Sequence, residues 1–379
     1  RLRIPGGRQK PWMMIGTPLF LFSLWKIFVP GPEVSAAYLL FWSAALYLGF
    51  TLIDLPHKAW GAEISTDYDE RTRITSWREA IATAGQVALL AGLVWLAADG
   101  IEAASTQLHV IAIAVVFILP LLLGLCVFFV QERPPEYYVH PHRSIWAGLA
   151  IVARNPAFLR MLGCVLLFVS GVAVQGTLHR LVLADVMLDE GRFSLMILLE
   201  NVGTLVAVPA WLALSVRLGK HRALMGAALW LAVWSLPLVF LREGDANLLT
   251  AIIVIRGSSF ASILFIANSI AADVIDVDTL ESGEQRSGLF FAVWGMAIKL
   301  ALALGVVLAT VLPSLAGYLP SEVAIPLQIQ GRLMLIYGAL PALLMALGAL
   351  FLVRFPITKA RHDEVRYKLD ALAKQSRSE

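Results

Sequence analysis

The stretch that decides the fold is residues 106–130, which read TQLHVIAIAVVFILPLLLGLCVFFV. It holds no acidic residue, lysine or arginine, and as a helix it is long enough to cross a hydrocarbon core about 30 Å thick. Similar apolar runs recur along all 379 residues, of which 59% are hydrophobic and 15% are charged. The mean hydropathy of +0.76 excludes a water-soluble fold. No long segment alternates in polarity with a period of two, so we expect helical spans rather than a barrel.

Apolar runs between polar breaks predict ten transmembrane helices. These cover residues 11–29, 34–64, 77–98, 106–130, 157–180, 193–215, 223–241, 246–272, 287–312 and 332–354. The connecting segments on one side contain 21 lysine and arginine residues, whereas those on the other side contain two, Arg192 and Arg242. The positive-inside rule therefore predicts that the basic side, with both ends of the chain, is cytoplasmic.

Two short motifs repeat six spans apart. Gly7-Arg8-Gln9-Lys10 and Gly219-Lys220-His221-Arg222 each precede a span. Segments of mixed charge also follow the second and the eighth spans. These repeats predict two parallel halves of six helices, although any tight cytoplasmic turn can hold glycine and basic residues.

The repeat predicts the domain organisation. Residues 1–130 hold four spans of the first half, 131–156 form a central cytoplasmic loop, 157–354 form the second half, and 355–379 form a cytoplasmic tail. Two further helices are expected before residue 1. The alternative, in which residues 12–29 belong to a signal peptide, conflicts with the length of the run and with the repeat.

The two cysteines, Cys126 and Cys164, both fall inside apolar runs. They can assemble neither a disulfide framework nor a structural zinc site, and we expect them to be small core residues.

Two segments carry a resemblance to a known family. Residues 54–78 read DLPHKAWGAEISTDYDERTRITSWR; the second segment comprises ADVID at 272–276, GEQRSGLFFA at 283–292, and then Lys299. Together they resemble the signatures of the glycoside–pentoside–hexuronide:cation symporters.

The resemblance implies an all-α major facilitator fold with twelve helices when complete, of which family helices III–XII are expected here. It also implies alternating-access symport of a small-molecule substrate, a sugar, glycoside or uronide, with Na⁺ or H⁺ and no organic cofactor. The expected setting is a monomer in the bilayer of the plasma (inner) membrane, without a nucleic-acid partner.

Ionisable groups inside spans are costly and are therefore candidates for function. Asp54 lies roughly 14 Å, and Lys299 roughly 18 Å, from the cytoplasmic ends of their spans, so both are expected near the midplane. Such a pair suits a central substrate and cation site, although it can also be a structural ion pair. By resemblance, Asp54 belongs to the sugar and cation region, and Lys299 is the polar centre of family helix XI.

Arg78 matches a family arginine that faces the sugar cavity, but it can equally be an interfacial anchor. Lys58 stands where a well-known member of the family has a tryptophan, and it introduces a point charge suited to an anion. It can instead extend toward the cytoplasm or neutralise Asp54 four residues away. Leu264 occupies the approximate place of another family aromatic. These departures keep an anionic or unusual substrate open.

Two sets of charged residues suggest gates. Glu200 and Arg256 lie inside their spans, and their depth suggests a pair in a periplasmic gate. His179 and Arg180 are expected at an interfacial helix end. A larger set mixes both signs on the cytoplasmic side: Glu63, Asp67, Asp69, Glu70, Arg71, Arg73, Asp273, Asp276 and Arg286. We expect these to form a gate between the halves, the alternative being a solvated loop.

Three other functions are alternatives. A lysolipid carrier is the alternative within transport, because relatives of this fold share both motifs and Leu264 favours an apolar cavity. A membrane-embedded enzyme lacks support, because the sequence contains no His-Glu-x-x-His pair, no Gly-x-Ser-x-Gly elbow and no phosphate loop. A membrane sensor is a distant alternative, since the tail is a short charged segment that we expect to contact anionic lipid.

Overall fold

The computed structural model of the chain describes residues 9–31, 34–65, 67–98, 104–132, 150, 152–282, 286–318 and 325–378. All regular structure within these ranges is helical. The α-helices are α1 (Lys10–Phe28), α2 (Ala36–Ile64), α3 (Tyr68–Ala98), α4 (Ala104–Phe129), α5 (Pro156–Asp185), α6 (Phe193–Leu218), α7 (Lys220–Ser235), α8 (Ala246–Gly257), α9 (Phe260–Ser282), α10 (Ser287–Leu315), α11 (Leu327–Leu350) and α12 (Lys359–Ser378). Short 3₁₀ turns at Glu190–Arg192 and Leu236–Phe240 precede α6 and follow α7.

The helices confirm the predicted membrane architecture. Among the described residues, nine segments are long and apolar enough to cross a bilayer. They coincide with nine of the ten predicted spans, and the remaining one, 77–98, lies within the helix α3. The chain is therefore an all-helical membrane protein.

The predicted span 246–272 is not one continuous helix. Ser258 and Ser259 separate α8 from α9, and the complete segment reaches Ser282. Serine and glycine favour helices weakly, and serine hydroxyls bind nearby backbone instead. Here Ser258 Oγ donates to the carbonyl of Ile255 at 2.6 Å. We call residues 257–259 the α8–α9 break.

Carbonyl groups at the α8–α9 break, and that of Ile255 just before it, accept hydrogen bonds from side chains of α6 and α7. The three bonds join Thr204 Oγ1 to Gly257 O at 2.7 Å, Trp211 Nε1 to Ser258 O at 3.1 Å, and Trp230 Nε1 to Ile255 O at 2.8 Å. A bilayer offers no water to satisfy such carbonyls, so irregular backbone persists only where the protein supplies the donors. The break is thus built into the packing of three helices.

The described residues form two compact units. The first contains α1, α2, α4, the part of α3 from Ala91, and the segment Ser287–Ala292 at the start of α10. Its helices α1 and α2 approach closely through glycine, since a Cβ added at Gly49 would lie 2.6 Å from the backbone nitrogen of Phe20. Small residues allow this approach between membrane helices.

The second unit contains the rest of α3 and α10, together with α5–α9, α11 and α12. Glycine again permits close packing, because a Cβ added at Gly348 on α11 would lie 2.5 Å from the ring of Phe168 on α5. The fully buried side chains of Leu178 and Leu333 belong to the core that these helices share. The division into halves at residues 131–156 stays a prediction.

Candidate functional site

Asp54 and Lys58 form an ion pair in the first unit. Lys58 Nζ lies 2.8 Å from Asp54 Oδ2, one turn apart on α2, and both side chains are about four-fifths buried. This is the i, i+4 geometry that brings side chains together on a helix. The carboxylate of Asp54 therefore has a built-in counter-charge on its own helix.

The other predicted binding residues lie in the second unit. Lys299 is exposed on α10, and Arg78 is half-buried on α3. Arg78 Nη2 donates to Glu79 Oε1 at 2.9 Å, so this arginine is paired with its neighbour in the chain. Because Asp54 belongs to the first unit and Lys299 to the second, their common site stays a prediction.

A buried charge network joins α3 to α9 in the second unit. Arg71 Nη1 donates to Asp276 Oδ2 at 2.5 Å and to Asp273 Oδ1 at 3.4 Å. The Arg71 side chain is only 6% exposed, so solvent screens these bonds little. Thr72 and Ser269 add a hydroxyl pair at 3.0 Å between the same helices.

Lys220 enters the network from α7. Its Nζ donates to Asp273 Oδ2 at 2.6 Å, and both side chains are 1% exposed. The same ammonium lies 3.6 Å from the ring centroid of Tyr68, a cation–π contact. In the sequence Lys220 stands in a basic turn, and nothing local indicates that it pairs with a residue 53 positions later.

The tail helix α12 completes the network. His362 is 1% exposed, and its Nε2 lies 3.3 Å from Asp276 Oδ2 and 3.6 Å from Asp273 Oδ1. Arg366 Nη1 lies 3.6 Å from Asp276 Oδ1. The tail thus contributes two groups to the network that sequence reasoning missed. We call the set the Arg71 cluster; it consists of Arg71, Lys220, Asp273, Asp276, His362 and Arg366.

Charge and burial shift the pKa values of two residues of α3, Tyr68 and Arg71, which lie outside the membrane-spanning segments. Burial by itself lowers the pKa of Arg71, but Asp276 and Asp273 outweigh it and hold that pKa above its usual value. Burial, followed by the charge of Asp273, raises the pKa of Tyr68 well above its usual range. The guanidinium is therefore fixed as a cation, and the phenol as a neutral ring under Lys220.

The other predicted cytoplasmic residues occupy separate contacts. Asp67 Oδ1 accepts from the Glu70 backbone N–H at 2.7 Å and so caps the start of α3. Arg73 pairs with Glu70 at 3.0 Å on the exposed face. The remaining pairs are Ser287 with Glu63 at 2.5 Å, Arg286 with Asp278 at 3.6 Å, and Lys359 with Asp69. The structure thus brings Arg71, Asp273 and Asp276 together, and it gives Asp67, Arg73 and Arg286 other partners within the same unit.

Glu200 and Arg256 lie together, as the sequence analysis expects. Arg256 Nη1 is 3.8 Å from Glu200 Oε1, and Arg256 is 2% exposed. Arg256 lies ten residues from the Ala246 end of its span, or roughly 15 Å along the helix. We call these two residues, with His179 and Tyr337, the Arg256 site.

The expectation that His179 lies at an interfacial helix end is wrong. Helix α5 continues to Asp185, so His179 falls inside it, and the residue is 3% exposed. His179 Nδ1 lies 2.6 Å from the Tyr337 hydroxyl, and its Nε2 lies 4.0 Å from Glu200 Oε2. The predicted span ends at 180, five residues before the helix does, and Arg180 pairs with Glu190 at the surface.

Neither cysteine nor metal chemistry emerges in the described part of the chain. Cys126 is half-buried and Cys164 is buried, and both are free thiols. No group of three or more His, Cys, Asp or Glu side chains among the described residues could hold a metal ion.

Comparison with known families gives one match that covers nearly the whole chain. Residues 1–359 match the family described as MFS/sugar transport protein. Among solved structures, the Escherichia coli fucose:proton symporter FucP is similar, with a TM-score of 0.64 and 14% identity. The match covers 92% of this chain and 84% of FucP. This likeness shows the fold, that of a major facilitator transporter.

Several curated proteins are similar in sequence to almost the whole of this chain. An uncharacterised symporter of Synechocystis sp. is 26% identical, covering 98% of this chain and 85% of its own. The sphingosine-1-phosphate transporter of Xenopus tropicalis is 25% identical, covering 98% and 78%. A protein of E. coli strain K12 named "Putative glycoside/cation symporter YagG" is 22% identical, covering 97% and 81%.

Proposed function

The chain belongs to the MFS/sugar transport protein family, and from this premise we propose that it couples uptake of a sugar, glycoside or uronide to a cation by alternating access. The match to that family over residues 1–359 is the observation that carries the proposal. Relatives named as symporters, one of them for glycosides and cations, support it. The family is described by transport, and this description supports a transporter rather than an enzyme.

The Arg71 cluster suits the inner gate of such a transporter. Arg71 belongs to the predicted first half, whereas Asp273, Asp276 and Lys220 belong to the predicted second half. Opening toward the cytoplasm would separate Arg71 from both carboxylates. Each separated charge would need water in place of its partner, since an unpaired buried charge is costly. Closed and open states would then be discrete, as alternating access requires.

Asp54 is the proposed contributor to the cation site. A sodium ion or a proton that binds Asp54 competes with the ammonium of Lys58, which lies 2.8 Å away. Cation binding would therefore release Lys58, and a released ammonium can contact a substrate hydroxyl or carboxylate. Lys299 and Arg78 are the further candidates for substrate contact. The basic side of the protein, with both ends of this chain, is proposed to face the cytoplasm across the plasma (inner) membrane.

Uptake by proteoliposomes tests this function. Radiolabelled galactoside, pentoside and hexuronide would be offered under imposed sodium or proton gradients, with Asp54→Asn and Lys299→Gln as test variants. Glu190→Gln is the matched control, since Glu190 is an exposed acidic residue paired with Arg180. We expect one gradient to drive uptake of one solute, and both test variants to abolish that uptake. Uptake that ignores both gradients, or survives both substitutions, would contradict the proposal.

A second candidate substrate is a lysolipid. Two kinds of relative carry lipid names, the sphingosine-1-phosphate transporter and the sodium-dependent lysophosphatidylcholine symporters, and each covers 98% of this chain. Leu264 on α9 is half-buried and offers an apolar surface where sugar carriers of the family have an aromatic ring. Adding lysophosphatidylcholine to the same assay decides between the two, since gradient-driven uptake of lipid alone would favour this candidate.

A further inference from the structure

Arg256 is a buried cation in which two of the three guanidinium nitrogens have no hydrogen-bond partner in the described structure. Its guanidinium carries five N–H donors, yet its Nε and Nη1 are buried without a hydrogen-bond partner in the described structure. The nearest carboxylate, Glu200, stands 3.8 Å away, beyond hydrogen-bond distance. Buried polar groups are nearly always satisfied, so an exception of this size needs a physical reason.

The same chain shows what a closed buried ion pair looks like. In the Arg71 cluster, Arg71 reaches Asp276 at 2.5 Å, and Lys220 reaches Asp273 at 2.6 Å. A pair whose only role is to hold two helices together would be expected to have that geometry, because only close bonds offset the desolvation of two charges. The Glu200–Arg256 pair is instead wider, with 3.8 Å between Arg256 Nη1 and Glu200 Oε1.

Arg256 also lies beside the α8–α9 break. Helix α9 begins at Phe260, four residues later, and has 23 residues. The first N–H groups of a helix lack partners within it, and the helix dipole favours negative charge there. Broken transmembrane helices form the ligand sites of many transporters, where helix N-termini meet anionic substrate groups. The unsatisfied arginine thus favours an oxyanion, and it stands in the last turn of α8, four residues before α9 begins.

Glu200 sets a condition on that binding. It is the carboxylate nearest to Arg256 and balances its charge. An anion that joined both residues would leave the site with excess negative charge, whereas a proton on Glu200 restores the balance. The charge of the pair is therefore conserved when one proton and one anion enter together. The other titratable groups of the site are His179 on α5, 4.0 Å from Glu200, and Tyr337 on α11, which hydrogen-bonds to His179.

We propose that the Arg256 site binds an oxyanion of the transported substrate, a carboxylate or a phosphate, in exchange for Glu200, which takes up one proton. The inference rests on the proposed transport function and names the substrate class as anionic. Proton and anion are coupled reciprocally, so each strengthens the binding of the other. The two sources of the oxyanion, a uronide and a lysophospholipid, share this chemistry.

Calorimetric titration of the purified protein tests the proposal without any transport. The probes are two matched pairs: methyl glucuronide against methyl glucoside, and lysophosphatidate against monoacylglycerol. Each titration is repeated in two buffers of different ionisation enthalpy, which gives the protons taken up per ligand bound. We expect the anionic member of one pair to bind at least about tenfold more tightly than its neutral partner. Its binding should take up one proton.

Variants separate the roles of the two residues. In Glu200→Gln the anion should bind without proton uptake and independently of pH. In Arg256→Gln the preference for the anion should be lost, and Arg256→Lys should restore part of it if Arg256→Gln proves unstable. Glu190→Gln, an exposed acidic change, should alter nothing. Unchanged proton uptake in Glu200→Gln, or an unchanged anion preference in Arg256→Gln, would overturn the proposal, as would equal binding of both members of each pair.

Failure of the proposed anion site and failure of the proposed symport function give different results. If Arg256→Gln leaves the gradient-driven uptake of a neutral glycoside unchanged, the symport function is supported and the anion site is contradicted. If the protein binds an anion with proton uptake but its transport responds to no imposed gradient, the anion site is supported and the symport function is contradicted.

Discussion

Arg71 and Arg73 stand two residues apart on α3, yet their surroundings predict opposite effects of substitution. Arg71 is buried between two carboxylates, whereas the Arg73 side chain is 60% exposed and pairs with Glu70. Arg71→Gln leaves Asp273 and Asp276 short of a buried counter-charge and should destabilise the protein by about 3–5 kcal/mol. Arg73→Gln should stay within about 0.5 kcal/mol of the parent.

Thermal unfolding of both variants in detergent measures this difference. Equal melting temperatures for Arg71→Gln and Arg73→Gln would show that the Arg71 cluster contributes no more than a solvated surface pair.

Asp54 should be required for coupling more than for stability. The Asp54–Lys58 pair is about four-fifths buried, so Asp54→Asn leaves the Lys58 ammonium without its partner and should cost about 1–3 kcal/mol. Asp54→Asn should therefore still fold, with a lowered melting temperature, but lose the response of uptake to the cation gradient. Measuring the stability and the uptake of this variant checks both parts of the prediction. A strongly unstable Asp54→Asn variant would point to a structural role.

At this scale the sequence predicts pairs within one helix, or at one depth, better than it predicts clusters. Glu200 with Arg256, and Asp54 with Lys58, follow from depth or from i, i+4 spacing. Lys220 and His362 could not be assigned to the Arg71 cluster, because their partners lie far away in sequence and each residue is ordinary in its own segment. His179 was misplaced because the predicted span ends at 180, five residues before the helix does.

At the scale of elements, the contact between α1 and α2 depends on an absent side chain. A Cβ at Gly49 would meet the Phe20 backbone at 2.6 Å, whereas a Cβ at Gly124 on α4 would meet nothing within 4 Å. Gly49→Ala must push the helices apart and should cost about 1–3 kcal/mol. Gly124→Ala should be neutral or slightly stabilising, because alanine favours the helix. Unfolding curves that rank the two variants in the opposite order would refute the packing argument.

The tail helix α12 should be anchored through one face. His362 is 1% exposed and faces the carboxylates of the Arg71 cluster, whereas Tyr367 on the same helix is 78% exposed. His362→Ala removes a buried hydrogen-bonding partner and should cost about 1–3 kcal/mol, with faster proteolysis of the tail. Tyr367→Ala should leave both quantities unchanged. Limited proteolysis that cuts both variants equally fast would mean that His362 does not hold the tail.

Hydropathy predicts the helices because the bilayer imposes the same requirement on every span, and that requirement is readable in a local window. It does not predict the α8–α9 break. Gly257, Ser258 and Ser259 are tolerated inside many transmembrane helices, and whether they interrupt one depends on donors elsewhere. Those donors, Thr204 and Trp211, come from α6 and cannot be recognised before the helices are packed.

At the scale of the whole molecule, the proposed inner gate predicts that Arg71 separates from Asp273 and Asp276 in every transport cycle. Thr72 and Ser269 sit beside the cluster with hydroxyl oxygens 3.0 Å apart and carry no charge. A disulfide between Thr72→Cys and Ser269→Cys, with Cys126 and Cys164 replaced by serine, would hold α3 on α9 without altering the ion pairs. Oxidation should therefore stop uptake, and a reductant should restore it.

The single-cysteine variants, oxidised in the same way, control for chemical damage and should keep transporting. The disulfide can be counted by the loss of thiols that remain reactive after denaturation. Uptake that continues at the parental rate while the disulfide is complete would show that α3 and α9 stay together throughout the cycle. In that case the Arg71 cluster would be a permanent structural contact, and the gate would have to lie elsewhere.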